Sequence, residues 1–238
     1  MAGTRHLIRL PFTIAIDGPA GAGKSTIARR VAAALQLTYI DTGAMYRAVA
    51  YRALESKLDT TDDRAMATLA GELPLRLSPL SIDLQQQVWI GDQDVTGSIR
   101  TPEVSNLTSQ VSALSAVRRV IVEQQRRLGA TDPRGVVLEG RDIGSVVFPD
   151  APLKIFLTAS PQERARRRVR ELEERGMLVD YDQILADQIE RDTRDSSRAD
   201  SPLLATPDAH WLDTDGRSIE SVVQEIVGMA VEREPELG

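Results

Sequence analysis

The 238-residue chain contains no cysteine. Disulfides, thiol nucleophiles and thiolate-built zinc sites are thereby excluded, and the composition fits a reducing cytoplasm. Histidine is nearly as scarce, with only His6 in the leading segment and His210 in an apolar run. Neither a Ser-His-Asp triad nor a multi-histidine metal cage is expected from such a pair. Long apolar runs are missing too. The longest stretch without a formal charge, Val104 to Val117, is fourteen residues studded with Ser, Thr, Asn and Gln, short of the ~20 apolar residues of a membrane span. The leading run Leu7-Ile8-Arg9-Leu10-Pro11-Phe12 is broken by Arg and Pro and offers no small-residue cleavage site, so no secretory signal is expected. The formal net charge of −6 lacks the basic excess that a nucleic-acid polymer needs from its binder. A small anionic ligand needs only a local basic site. Lysine itself is rare: of 29 basic residues only Lys24, Lys57 and Lys154 are not arginine.

What is present is an ordinary globular composition, 42% apolar and 27% charged, in a length that suits one large domain or a domain with a substantial insertion. Phe12-Thr-Ile-Ala-Ile16 is a nearly continuous apolar run, as expected of a strand buried on both faces of a parallel sheet. A glycine-rich segment follows, and from Ser25 to Leu35 Ile27, Val31, Ala34 and Leu35 recur at helical spacing. Thr38–Asp41, Gly135–Glu139, Leu153–Leu157 and Ala209–Asp213 are further short strand candidates separated by helical patterns. This alternation predicts an α/β fold with a mainly parallel sheet. Ser160-Pro161-Gln162-Glu163 reads as an N-cap, a first-turn proline and a capping-box glutamate, and Gly176 as the stop of that helix. Residues 60–132 break the rhythm with two short antiparallel strand candidates, Leu73–Leu77 and Val88–Val95, and a helix from Ala113 to Leu128, which predicts an insertion. Glu173–Pro202 is densely charged, with little apolar content beyond Ile184, Leu185 and Ile189.

Gly18-Pro19-Ala20-Gly21-Ala22-Gly23-Lys24-Ser25 fits the pattern G-x-x-x-x-G-K-[ST]. Glycines let successive backbone N–H groups turn toward a phosphate chain, and the helix N-terminus adds its positive end. Lys24 is then placed to reach the β/γ oxygens, and Ser25 to ligate Mg²⁺. The competing reading, a glycine turn with an incidental lysine, is disfavoured by the strand before it and the helix after it. The pattern implies a nucleoside triphosphate without saying what becomes of it. A guanine-reading Asn-Lys-x-Asp segment is absent, since the sole asparagine, Asn106, precedes Leu107, so a GTPase is not expected.

Asp41-Thr42-Gly43-Ala44-Met45-Tyr46-Arg47 offers a second helix start with an arginine one turn inside, able to fork onto phosphate oxygens. Glu139-Gly140-Arg141-Asp142 follows the third strand of the α/β pattern, at the carboxyl end where open α/β sheets bind ligands. Arg164, Arg167 and Arg168 share one helical face, and Arg191, Asp195 and Arg198 another. Glu163/Arg167, Arg167/Glu171, Arg170/Glu174 and Arg191/Asp195 are equally readable as i,i+4 pairs on solvated helices. Transfer of a phosphoryl group between two polyanions, by contrast, requires several cations that arrive when the site closes.

Together these segments, with Ile99-Arg-Thr-Pro-Glu-Val104, Ser109-Gln-Val111, Gly140-Arg-Asp-Ile-Gly144, Val147-Phe-Pro-Asp-Ala151 and Arg191-Asp-Thr-Arg-Asp195, make the chain resemble the bacterial cytidylate kinase family, within the P-loop nucleoside monophosphate kinases. The resemblance implies a five-stranded parallel sheet in a core of residues 1–59 and 133–238. It also implies a monophosphate-binding insertion at 60–132 and a lid at about 160–200. It implies ATP on Gly18, Pro19, Ala20, Gly21, Ala22, Gly23, Lys24, Ser25 and Thr26, with Mg²⁺ on Ser25. The acceptor CMP or dCMP is implied near Thr42, Tyr46, Arg47, Ser109, Arg118, Arg141, Asp142, Arg191, Asp195 and Arg198. Lys24, Arg141 and Arg191 are implied as catalytic, and Arg164, Arg167 and Arg168 as lid cations. The implied partners are small nucleotides, with no nucleic-acid polymer and no membrane, for a cytoplasmic monomer. Glu139 and Ser145 differ from one common form of the family pattern, which has Asp and Thr there. A kinase for UMP or a sugar acid, and a nucleotide switch without phosphotransfer, are the alternative readings.

Overall fold

A computed structural model describes residues 12–174, 176–198 and 200–234; His6, the rest of the leading run before Phe12 and the charged end after residue 234 lie outside them. Strand β1 (Phe12–Asp17) is buried along its whole length. It lies at the centre of a five-stranded sheet between β6 (Gly135–Gly140) and β7 (Leu153–Thr158), with β2 (Thr38–Asp41) and β8 (His210–Asp213) at the edges. All four pairings are parallel. Alternation along β1 feeds two cores. Ile14 and Ile16 join helices α1 (Lys24–Ala34) and α8 (Ile219–Arg233) through Ile27, Val31 and Ile226, while Ala15 joins Val136, Leu138 and Ile143 on the opposite face. The continuous apolar run in the sequence has this cause: both faces of the strand are covered.

Between β2 and β6 the chain builds a second unit. Helix α2 (Thr42–Glu55) leads into α3 (Asp63–Glu72), the antiparallel strands β3 (Leu75–Leu77), β4 (Val88–Ile90) and β5 (Gln93–Asp94), and helices α4 (Pro102–Val111) and α5 (Ser115–Gly129). Its core, Met66, Val88, Ile90, Ile99 and Ile121, is continuous with Met45 and Val49 of α2. Gly91, in the left-handed region at φ 59°, makes the turn that divides the Val88–Val95 candidate into β4 and β5. Two helices here are absent from the sequence reading, although their caps are ordinary. Asp62 accepts Ala65 N–H at the start of α3, and Thr101 accepts Val104 N–H before Pro102 opens α4. Buried Gln86 covers the outer edge of β2: its amide donates to Tyr39 O at 2.7 Å and its oxygen accepts Asp41 N–H at 3.1 Å, satisfying groups an edge strand leaves open.

After β7 come α6 (Pro161–Glu174) and α7 (Tyr181–Ser197). One expectation is corrected there. Ser160 Oγ does accept Glu163 N–H, at 3.2 Å, but Glu163 does not close a capping box. The carboxylate of Asp215, from the loop after β8, takes the Ser160 N–H at 3.1 Å, and Glu163 pairs with Arg167 instead. The buried face of α7 is polar: Gln188 and Asp195 are buried, whereas Ile189 is exposed. No helix among the described residues is long and apolar enough to cross a membrane.

Candidate active site

The loop after β1, the carboxyl ends of β2 and β6, the starts of α1 and α2 and the helices α4 to α7 line a cavity of about 1410 Å³. Ala20 through Thr26 line it, and the three loop glycines Gly18, Gly21 and Gly23 all have positive φ. At Gly18 a side chain is impossible without rebuilding, because a Cβ there would stand 2.0 Å from the carbonyl oxygen of Leu157. Where a side chain accepts an N–H of the first turn in α2, α3, α4 and α8, the N-terminus of α1 has no side-chain cap and no acidic residue. Its free N–H groups are therefore left for an anion.

The loop's carbonyls are turned outward and held. Gly18 O accepts from Arg141 Nη1 at 3.0 Å, Pro19 O from Lys24 Nζ at 2.8 Å, Ala20 O from Arg164 Nη1 at 3.0 Å, and Ala22 O from Thr214 Oγ1 at 3.3 Å. Gly18 and Pro19 are thus behind the cavity wall rather than in it. Lys24 is 6% exposed. Burial, reinforced by the positive charges of Arg141 and Arg191, lowers its ammonium to about 7. Arg191 is itself lowered, to about 10, by burial and by Arg141.

Opposite the loop, Arg47 of α2 and Arg100, from the turn before α4, share the carboxylate of Asp41 at 3.1 and 3.2 Å. Burial works against the charge of Asp41, but the two guanidiniums outweigh it and hold the carboxyl below its usual range. Arg141 Nε donates to Asp195 Oδ2 at 2.8 Å, and Arg198 lies 3.9 Å from the other oxygen of the same group. The expected Arg191/Asp195 helix pair is therefore replaced by a long-range one, and Arg191 keeps its Nε buried without a partner. Arg118 and Asp142, both buried, form an ion pair, with the Arg118 guanidinium 5.5 Å from the centre of the Tyr46 ring. Ser109 Oγ accepts from Arg194 Nη1 at 2.8 Å.

Most residues singled out in the sequence meet at this cavity: Lys24, Ser25, Thr42, Tyr46, Arg47, Ser109, Arg118, Arg141, Asp142, Arg191, Asp195 and Arg198 all line it. Of the three α6 arginines expected in the lid, Arg167 and Arg168 line it, and Arg164 does not. Arg164 is 2% exposed and bonded on every side, which removes it from the cations that can swing onto a ligand. Sequence reasoning passed over Arg100 and Arg194, although both lie inside the segments that carry the family resemblance. It also passed over Asp17, whose carboxylate accepts the N–H groups of Ile143 and Gly144 at 2.8 and 2.7 Å and so fixes the turn after Asp142 to the strand before the loop. Burial raises the Asp17 carboxyl to about 6, with those two bonds pulling the other way.

The cavity wall carries thirteen Lys and Arg against eight Asp and Glu, in a chain whose net charge is −6. Five of its arginines leave a buried donor unpartnered: Arg29 Nε, Arg47 Nε, Arg118 Nε, Arg191 Nε and Arg198 Nη2. Buried donors are nearly always satisfied, so these guanidiniums call for acceptors from within the cavity.

Comparison with known proteins places the chain. The family model for cytidylate kinase matches residues 14–232. The bifunctional pantoate ligase/cytidylate kinase of Acaryochloris marina is 49% identical over 230 residues, which are 96% of this chain and 43% of that protein. The chain thus spans less than half the length of such relatives. A cytidylate kinase of Desulforamulus reducens is 49% identical over 214 residues, 90% of this chain and 94% of that one. A gluconokinase from Sinorhizobium meliloti has a TM-score of 0.48 at 16% identity, covering 96% of this chain and 97% of its own, too distant to bear on chemistry. With its model matched from β1 to the last turn of α8, the chain belongs to the cytidylate kinase family.

Proposed function

We propose that this chain transfers the γ-phosphoryl group of ATP to the phosphate of CMP or dCMP, giving ADP and CDP or dCDP. The observation that carries the reading is the set of buried, unpartnered arginine donors in a cavity whose other wall is a phosphate-binding loop. A switch protein that only bound a triphosphate would need no second cluster of cations. In this reading residues 60–132 seat the acceptor, and residues 160–200 act as a lid over the core.

Lys24 acts on charge developing between the β and γ phosphates, while Arg141 and Arg191 stand between donor and acceptor. The acceptor needs no general base, because a phosphate with a second pKa of ≈ 6 is already largely anionic at pH 7. Arg167, now bonded to Thr214 at 2.9 and 2.8 Å, and Arg168 are the lid cations that remain free to redirect. Closure of the lid keeps water from competing for the γ-phosphoryl group.

Mg²⁺ fits the residues present. Ser25 and Glu139 bring a hydroxyl and a carboxylate to the same cavity, hard oxygen donors suited to that ion. Tyr39 OH donates to Glu139 Oε1 at 2.7 Å and orients it. Asp41 is committed to Ala44 N–H, Arg47 and Arg100 and is not a ligand. Among the described residues no group of three or more His, Cys, Asp or Glu could hold a metal ion. Held by Ser25 and Glu139, Mg²⁺ would supply Lewis-acid neutralisation of charge developing on the phosphates.

A coupled ADP-release assay over CMP, dCMP, UMP, AMP and GMP tests the reading. Release is expected with the two cytidine nucleotides, and a preference for any other acceptor would overturn it. Arg47→Ala is expected to raise KM for CMP about tenfold, one charge-assisted hydrogen bond being worth roughly 1.5 kcal/mol, and to leave KM for ATP nearly unchanged. Equal rises for both substrates would make Arg47 a framework residue of α2.

A further inference from the structure

The phosphate-binding loop is joined to the helix that carries the acceptor-side residues through one buried guanidinium. Arg164 Nε donates to Ala159 O on its own segment at 3.0 Å, which anchors the side chain. Its two remaining nitrogens go elsewhere: Nη1 to Ala20 O in the loop at 3.0 Å, and Nη2 to Asp192 Oδ2 on α7 at 2.5 Å. Gln188 of α7 donates to the Arg164 carbonyl at 3.2 Å, and a Cβ on Gly21 would stand 3.0 Å from Arg164 Cβ. Loop, side chain and helix are therefore in direct contact. Asp192 lies between Arg191, which lines the cavity, and Asp195, which holds Arg141.

The peptide unit from Ala20 to Gly21 is planar, so its carbonyl and the Gly21 N–H point in opposite directions. With the carbonyl fixed on Arg164, that N–H faces away from Arg164, and Gly21 lines the cavity. Any movement of this peptide onto a phosphate displaces Arg164, and the charge-assisted bond carries the displacement to Asp192. We propose that Arg164 and Asp192 are a positioning pair that couples occupancy of the loop by a nucleoside triphosphate to the placement of α7, so that donor and acceptor bind synergistically. The identity of the acceptor rests on the function proposed above; the coupling of loop to helix does not.

The test uses the full chain and Asp192→Asn, because Arg164 is fully enclosed and its truncation endangers the fold, whereas the Asp192 side chain is 23% exposed. Amide hydrogen exchange over Tyr181–Ser197 is measured with and without the non-hydrolysable analogue AMP-PNP and Mg²⁺. The wild-type helix is expected to exchange about fivefold more slowly with the analogue, at the low end of ordinary site-to-site coupling. Asp192→Asn should lose most of that difference, and Asp192→Glu should restore it. Equal slowing in wild type and Asp192→Asn, or none in wild type, overturns the proposal. Calorimetric titration of CMP supplies the second arm: AMP-PNP should tighten CMP binding about fivefold in wild type and not in Asp192→Asn. An analogue-dependent slowing of α7 in a protein that does not bind CMP would uphold the coupling and sink the acceptor assignment instead.

Discussion

Lys24→Ala is expected to lower kcat by about 10²–10³-fold, the usual loss when one preorganised donor to transition-state charge is removed. The fold should survive, since Lys24 makes one hydrogen bond to protein, to Pro19 O, and its burial disfavours its own charge. The lowered ammonium adds a direct measurement. With a value of about 7 in the free protein, Lys24 is mostly neutral at pH 8, and the β and γ phosphates must raise it on binding. Calorimetry in buffers of different ionisation enthalpy should show uptake of up to about one proton on AMP-PNP binding at pH 8, and that uptake should vanish in Lys24→Ala. The same shift fixes the sign of its stability effect. The unfolded chain binds this proton up to a higher pH than the folded one, so folding stability rises with pH between about 7 and the ordinary lysine value of 10.5. Near-wild-type turnover in the variant would remove Lys24 from the catalytic set.

Asp142→Asn is expected to reduce the kcat/KM ratio of CMP over UMP by about ten- to 100-fold. Cytosine presents acceptors at O2 and N3 and a donor amine at N4, while uracil reverses the last two. Arg118 and Asp142 stand together in the cavity with Arg198 nearby, so arginine donors and a carboxylate acceptor are available in one place. Uracil would leave buried groups mismatched at about 1–3 kcal/mol each, and an amide at 142, able to donate, would relieve part of this. The variant also leaves Arg118 without its buried counter-ion, which costs roughly 3–5 kcal/mol in stability when such a pair is broken. A ratio of two substrates measured on one preparation is insensitive to how much of it is folded. Equal losses on CMP and UMP would show that Asp142 organises the site through Arg118 rather than reading the base.

The strand candidates at Phe12–Ile16, Thr38–Asp41 and Leu153–Leu157 lie where the sheet has them, because apolar periodicity reports burial against neighbouring layers, and that signal is local. The glycine loop is legible for a related reason: three backbone positions with positive φ exclude other residues without reference to the rest of the chain. Helices α3 and α4 were missed although their caps follow ordinary rules, since each is only ten residues long, giving a helical period few turns in which to repeat.

Sequence by itself therefore determined the α/β class, the phosphate-binding loop and the family resemblance, all of which rest on local patterns. Tertiary structure decided which polar groups are partners. Arg141 finds Asp195 across 54 residues, Arg118 finds Asp142 across 24, and Arg164 finds Ala20 O across 144. Helical spacing made solvated i,i+4 pairs an equal reading for Arg167, Arg170 and Arg191, and of these the structure keeps Glu163/Arg167. Arg191/Asp195 gives way to Arg141/Asp195, because a buried charge requires a counter-charge or hydrogen-bond acceptor wherever the chain brings one, and spacing along the sequence does not say where that is.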